Sequence, residues 1–308
     1  MLRSFILIAA LLLTVPASAQ QLPAPPPQPE TGPGGKKKPH AAVIKSRYGQ
    51  GANEYWIYEP DRPKPKTAPV VIFLHGWSGT NPLYYGAWID HVVKRGNIVV
   101  FPRYQSSILT SREDFIPNTL DAVKAAFARL QSEPGHVLPD LNKVAAVGHS
   151  LGGVLAASVA ALAGENGLPQ VRAVMAVEPG LTRAPVSVPM ADLGKIPGTT
   201  LLLSIAGDRD TLAADHDAKR IYYESKQISA DNKDFVLLVS DERGRPGLIG
   251  GHRAPTAPDN EYDNGEGDLT ARGRGAGLPP SDARVDSRTP TLDALDYYGL
   301  WKLFDGLC

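Results

Sequence analysis

Cysteine is almost missing from this 308-residue chain: the only one is Cys308, the last residue. That excludes an internal disulfide and a thiolate metal cluster within one chain, and argues against a catalytic thiol. An excess of charge of either sign is missing too, because 32 Lys and Arg balance 32 Asp and Glu. Nothing in that balance calls for nucleic acid or an anionic membrane, so the expected partner is small and neutral. Long apolar runs are also lacking. The longest candidate, Phe5 to Val15, has about half of the ~20 residues that a bilayer span needs.

That short run instead completes a secretory signal. Arg3 supplies the positive region, Phe5 to Val15 the apolar stretch, and Ala17-Ser18-Ala19 a small-residue cleavage site, with cleavage expected after Ala19. No cysteine follows the small residues to carry a lipid, so the mature chain is expected to be secreted or periplasmic, with no stable membrane anchor. Residues 20–40 hold seven prolines, the glycines Gly32, Gly34 and Gly35, and the run Lys36-Lys37-Lys38. Such composition buries no core and reads as an extended, disordered leader acting as a spacer.

Residues 41–308 read as one domain, with 43% hydrophobic residues in the chain to fill its core. The run Val70-Val71-Ile72-Phe73-Leu74 is apolar on both faces and suits an interior strand of a covered parallel sheet. Similar runs recur at Ile98 to Phe101, Val144 to Val147, Ala173 to Val177, Thr200 to Ile205 and Phe235 to Val239. Between them, Tyr84 to Lys94, Ile116 to Gln131, Leu151 to Leu162 and Ala214 to Ser225 repeat apolar residues at helical spacing. The alternation predicts the α/β class, with a mostly parallel central sheet and helices on both faces. Leu292 to Leu307 is a further helical pattern that stops without a cap, leaving open a shortened chain or pairing of Cys308 with another chain.

The chemistry concentrates in Gly148-His149-Ser150-Leu151-Gly152-Gly153, directly between an apolar strand and a helix. A serine on such a turn projects its hydroxyl above the sheet edge, and the flanking glycines let the backbone turn tightly. The helix that follows aims free N–H groups and the positive end of its dipole at the same spot, which suits an oxyanion. An inert serine in a tight turn is the alternative, because the five-residue pattern also arises by chance. A serine hydroxyl needs a base in reach and a third group to orient that base.

These residues resemble the nucleophile elbow of the α/β-hydrolase superfamily, and His75-Gly76-Trp77-Ser78-Gly79 after the strand Val70 to Leu74 resembles its oxyanion loop. The resemblance runs from about Tyr55 to Asp259 and implies the α/β-hydrolase fold, Ser150 as nucleophile, and backbone N–H donors at Trp77 and Leu151. Its chain order, serine then acid then histidine, implies Asp210 in Gly207-Asp208-Arg209-Asp210 and His252 in Gly250-Gly251-His252. Of the seven histidines, His252 alone combines that order with a loop position after the last strand. Glu178, after the preceding strand, resembles the acid site of some lipases and is the competing acid or a pocket residue. Asp208 suits bracing of its own turn.

Trp77, Tyr84, Tyr85 and Glu178 are the candidate substrate contacts, with core packing as the other role open to Tyr84, Tyr85 and Trp88. In outline this resembles cutinase-like and polyester-degrading hydrolases, although the disulfide common near their carboxyl ends cannot form within this chain. The stretch Asp259 to Asp268 is rich in oxygen ligands, but Gly265 comes one place too late for a calcium loop, and it reads as a solvated acidic loop. The long segment Arg243 to Thr289 is a candidate for the site rim. The resemblance implies a carboxylic-ester hydrolase that needs no cofactor and no metal, acting on a small neutral ester. Acyl transfer, amide or peptide cleavage, and a non-catalytic binding protein of the same fold are the rivals.

Overall fold

The computed structural model describes residues 22–180, 189–266 and 292–308. The signal-like residues 1–19 and the part of the rim segment beyond Glu266 lie outside the described residues. Eight strands form one sheet: β1 Ala42–Tyr48, β2 Tyr55–Asp61, β3 Thr67–Leu74, β4 Ile98–Pro102, β5 Leu138–His149, β6 Val171–Val177, β7 Leu201–Gly207 and β8 Lys233–Leu238. Their order is β1-β2-β4-β3-β5-β6-β7-β8. β2 pairs antiparallel with both β1 and β4, and every other neighbouring pair is parallel.

The helices are α1 Gly86–Lys94, α2 Phe115–Ser132, α3 Leu151–Leu162, α4 His216–Glu224 and α5 Trp301–Leu307, the last continuing a π-helical stretch at Leu295–Leu300. The segment expected as one helix from Tyr84 splits. Pro82–Tyr85 forms a 3-10 turn whose Leu83 N–H is capped by the Asn81 side chain, and α1 begins only at Gly86. Successive strand residues point to opposite faces. Val70, Ile72 and Leu74 therefore join one core with Val123, Leu155 and Val159, while Val71 and Phe73 join another with Trp88, Val92, Trp301 and Phe304. α2, α3 and α4 cover the first face, and α1 and α5 the second. Continuous apolar runs in β3 to β6 are what a sheet covered on both sides requires.

Two expectations change. The leader is not a disordered spacer over its described part, residues 22–40, because the fold supplies donors to a segment whose own backbone has few partners. Arg245 N–H donates to the Pro23 carbonyl at 3.0 Å, and the Tyr297 and Tyr298 hydroxyls donate to the Pro26 and Pro27 carbonyls at 3.0 and 3.1 Å. Gly34 N–H donates at 2.7 Å to Asp305, a carboxylate that also faces His91 Nε2 at 2.9 Å and Arg95 Nε at 3.2 Å.

The acidic stretch is solvated only in part as far as Glu266: Asn260, Glu261, Asp263 and Gly265 are exposed, but the segment is tied to the fold; Gly267 and Asp268 lie outside the described residues. Asn81 Nδ2 donates to Asp263 at 2.8 Å, and Glu266 pairs with Arg47 at 2.6 Å and Arg103 at 2.9 Å. Arg103 is buried, and its other partner is buried Glu54 at 2.6 Å. Two carboxylates around one buried guanidinium offset the cost of taking that charge out of water. Among the described residues, no helix is long and apolar enough to cross a membrane.

Candidate active site

The site lies at the carboxyl ends of β3, β5, β7 and β8, where ligands bind in open α/β sheets. Ser150 is the single residue between β5 and α3, at φ 56° and ψ −123°. A non-glycine residue in that region is strained by roughly 1–3 kcal/mol, so the surroundings must hold it. Ser150 N–H donates to the Val177 carbonyl at 2.9 Å, and the Ser150 carbonyl accepts from Gly180 N–H at 3.1 Å. Close backbone packing explains two of the glycines. A Cβ on Gly148 would sit 2.1 Å from the Gly152 carbonyl oxygen, and one on Gly152 would sit 2.1 Å from that of Leu74.

His252 comes from the loop after β8 and reaches both partners named from the sequence. Its Nε2 is 2.9 Å from Ser150 Oγ and its Nδ1 is 2.9 Å from Asp210 Oδ2. An ionised carboxylate only accepts, so Nδ1 carries the ring proton and Nε2 is left to accept from the serine hydroxyl. Asp210 Oδ1 accepts from Leu212 and Ala213 N–H at 2.8 and 2.9 Å. Burial pushes the Asp210 carboxyl up, but the hydrogen bond and charge of His252, with those two N–H groups, outweigh it and hold it below the usual range. Asp208 does not brace its own turn but ties it to the segment after β8, accepting from Ser240 N–H at 3.0 Å and from the Ser240 hydroxyl at 2.6 Å.

Glu178 does not reach His252 by any hydrogen bond. It is fully buried, and neither carboxyl oxygen has a hydrogen-bond partner among the described residues. Burial, then the charge of Asp210, raise its carboxyl well above the usual range, which favours its uncharged form. The substrate role expected for Glu178 is therefore corrected: a side chain with no exposure touches no ligand. Tyr85 needs the same correction. It is 2% exposed, and its hydroxyl accepts from Gly76 N–H at 2.9 Å and lies 2.9 Å from His149 Nδ1. Its polar end is thus occupied with holding the oxyanion loop.

Tyr84 is half-buried against the second core, and Trp88 is fully buried there. Trp77 is the exception among these aromatics, 39% exposed on the loop after β3. That loop is fixed from below: Ser78, at φ 64°, donates its N–H to Gln105 Oε1 at 2.8 Å, and Gly79 N–H closes onto the Gly76 carbonyl at 3.0 Å. Among the described residues, neither the Trp77 N–H nor the Leu151 N–H has a protein acceptor, which leaves two backbone donors beside the nucleophile.

Sequence reasoning passed over His75, Gln105 and His149 as supports. All are buried, and burial pushes the imidazoles of His75 and His149 down to about 4 and about 3, so both are neutral. His75 and His149 carried a signal, their places in the two glycine motifs; Gln105 carried none. His149, Glu178 and His252 also bring ligand-type atoms within 4.8 Å of one another. However, His149 Nε2 is already hydrogen-bonded to the His252 carbonyl at 2.7 Å, and His252 Nε2 faces Ser150.

No curated protein matches the chain. Residues 42–189 match the family model described as Chlorophyllase, a segment that includes Trp77, Ser150, Leu151 and Glu178 and ends before Asp210 and His252. That family is one of α/β-hydrolase-like esterases and supports hydrolysis of ester bonds in general. Eight strands in a mostly parallel sheet, with Ser150 on a strained turn between β5 and α3 inside the matched segment, give the chain the α/β-hydrolase fold, and over residues 42–189 it is similar to the Chlorophyllase family.

Proposed function

We propose that this protein is a serine hydrolase that cleaves carboxylic esters through an acyl-enzyme, with Ser150 as nucleophile, His252 as base and Asp210 as the orienting acid. The observation that carries the reading is His252, hydrogen-bonded at 2.9 Å through one ring nitrogen to Ser150 Oγ and through the other to Asp210. His252 takes the hydroxyl proton as Ser150 attacks the acyl carbonyl, and the low Asp210 carboxyl stabilises the imidazolium that results. The free N–H groups of Trp77 and Leu151 receive the oxyanion. The imidazolium then protonates the leaving alcohol. Water, activated by the same ring, releases the acid and restores Ser150. No step calls for a cofactor.

Trp77, the exposed aromatic on the oxyanion loop, is the proposed substrate contact and favours a neutral, moderately apolar ester. With the signal-like first nineteen residues, the proposed site of action is outside the cytoplasm. The test is fluorophosphonate labelling with mass mapping, followed by p-nitrophenyl esters of increasing chain length. Ser150→Ala is expected to abolish both labelling and turnover in a folded protein, and turnover that survives it would refute the assignment.

A further inference from the structure

A second imidazole, His149, sits beneath the first. Its ring centroid is 4.8 Å from that of His252 and 5.9 Å from that of Tyr85, and it is 5% exposed. Every proton around it is assigned by its partners. The His252 carbonyl, 2.7 Å from His149 Nε2, can only accept, so Nε2 carries the proton. Gly76 N–H, 2.9 Å from the Tyr85 hydroxyl, can only donate, so that hydroxyl turns its own proton to His149 Nδ1 at 2.9 Å. The result is one directed chain, from Gly76 N–H to Tyr85 O–H to His149 to the His252 carbonyl.

This chain joins the loop that follows β3, the last residue of β5 and the loop that follows β8 without touching a reacting atom. It also supplies the one hydrogen bond to the His252 backbone found among the described residues; elsewhere that loop is pinned at Gly250 by Arg209 and Ser240 and at Ala257 by Tyr84 and Ala87, and is closed on itself by Ala254 N–H to Gly251 and Thr256 N–H to Arg253. Two carboxyl groups act on the ring: Glu178, 3.8 Å from His149 Nε2, whose burial favours its uncharged form, and Asp210, whose charge favours a second proton but is outweighed by the burial of His149 and the charge of His252.

We propose that His149 is a positioning residue: as a neutral imidazole it holds the His252 backbone within reach of Ser150 and, through Tyr85, ties that loop to the oxyanion loop at Gly76. The inference rests on the serine-hydrolase reading. A misplacement of about 1 Å costs on the order of 100-fold in rate. The test compares His149→Met, which fills the space without a donor, with His149→Gln, whose amide keeps one toward the His252 carbonyl, and with Tyr85→Phe.

The readouts are the rate of fluorophosphonate labelling at Ser150, kcat and KM for p-nitrophenyl butyrate, and the melting temperature. His149→Met is expected to slow labelling and kcat by about 10–100-fold with KM little changed, and His149→Gln to recover most of that loss. Tyr85→Phe should fall between them. A folded His149→Met that labels at the wild-type rate, or a His149→Gln as slow as His149→Met, would overturn the proposal while leaving the serine-hydrolase reading intact. Wild-type protein that does not label at Ser150 removes both. If His149→Met does not fold, Tyr85→Phe decides alone, and an unchanged kcat overturns the proposal.

Discussion

The choice of acid yields the sharpest test. In Asp210→Asn the side chain keeps its shape, but its two ends are no longer equivalent. Asp210 Oδ1 accepts from Leu212 and Ala213 N–H, and only the amide oxygen of asparagine can replace it there. The amide NH2 must then face His252 Nδ1, across the 2.9 Å now filled by a carboxylate oxygen. Nδ1 becomes an acceptor, the ring proton moves to Nε2, and the ring can no longer take the proton of Ser150. The wrong tautomer in a comparable triad costs about 10⁴ in kcat, or ~5.4 kcal/mol at 1.36 kcal/mol per tenfold. Glu178→Gln, at a residue with no hydrogen bond to His252, is expected to change kcat by less than about threefold, because it removes no contact to the base and burial already favours the uncharged carboxyl. The assay is kcat on a p-nitrophenyl ester, with circular dichroism to show that both variants fold. A loss below tenfold in Asp210→Asn, or a larger loss in Glu178→Gln, would refute the assignment.

Gly152→Ala places a methyl group against the Leu74 backbone, where nothing flexible can yield. A loss of about 3 kcal/mol is expected in denaturant unfolding, together with slower acylation as β3 and α3 are pushed apart. His75 and His149 are held neutral, at about 4 and about 3 against 6.5 when exposed, so below pH 6.5 the unfolded chain binds protons that the native state refuses. The pair's contribution is therefore full well above pH 6.5 and falls with acidification, steepening toward about 3 kcal/mol per pH unit near pH 5 and easing as the native rings titrate at about 4 and about 3; a flat unfolding midpoint from pH 6.5 to 5 would contradict it. Asp305→Ala removes the shared acceptor of Gly34, His91 and Arg95. It should cost about 3 kcal/mol and open Lys36 to Lys38 to trypsin well before the core is cut.

Much of this fold was legible because its information is local. A strand buried on both faces must be apolar throughout, so Val70 to Leu74 and Ile98 to Phe101 announced themselves, and α3 begins and ends where its periodicity does. The glycines around Ser150 mark a turn that only a strand-to-helix junction needs. The chain order that the superfamily resemblance implies named Asp210 and His252, more than forty residues from one another or from Ser150, as partners of Ser150. The resemblance favoured Asp210 but left Glu178 as a competitor, because both follow strands that end beside the site. Hydrogen-bond direction decided it, and that depends on how the loops after β7 and β8 fold over each other. Tyr85 likewise read as a pocket aromatic, since composition does not say which face of a 3-10 turn is covered. The proline-rich leader read as a spacer because nothing in its own letters reveals Tyr297, Tyr298 and Asp305 waiting some 270 residues downstream. Residue types and their spacing specify the strands, the elbow and the inventory of reactive groups; which of those groups meet, and which are sealed in the core, is decided only when distant loops pack.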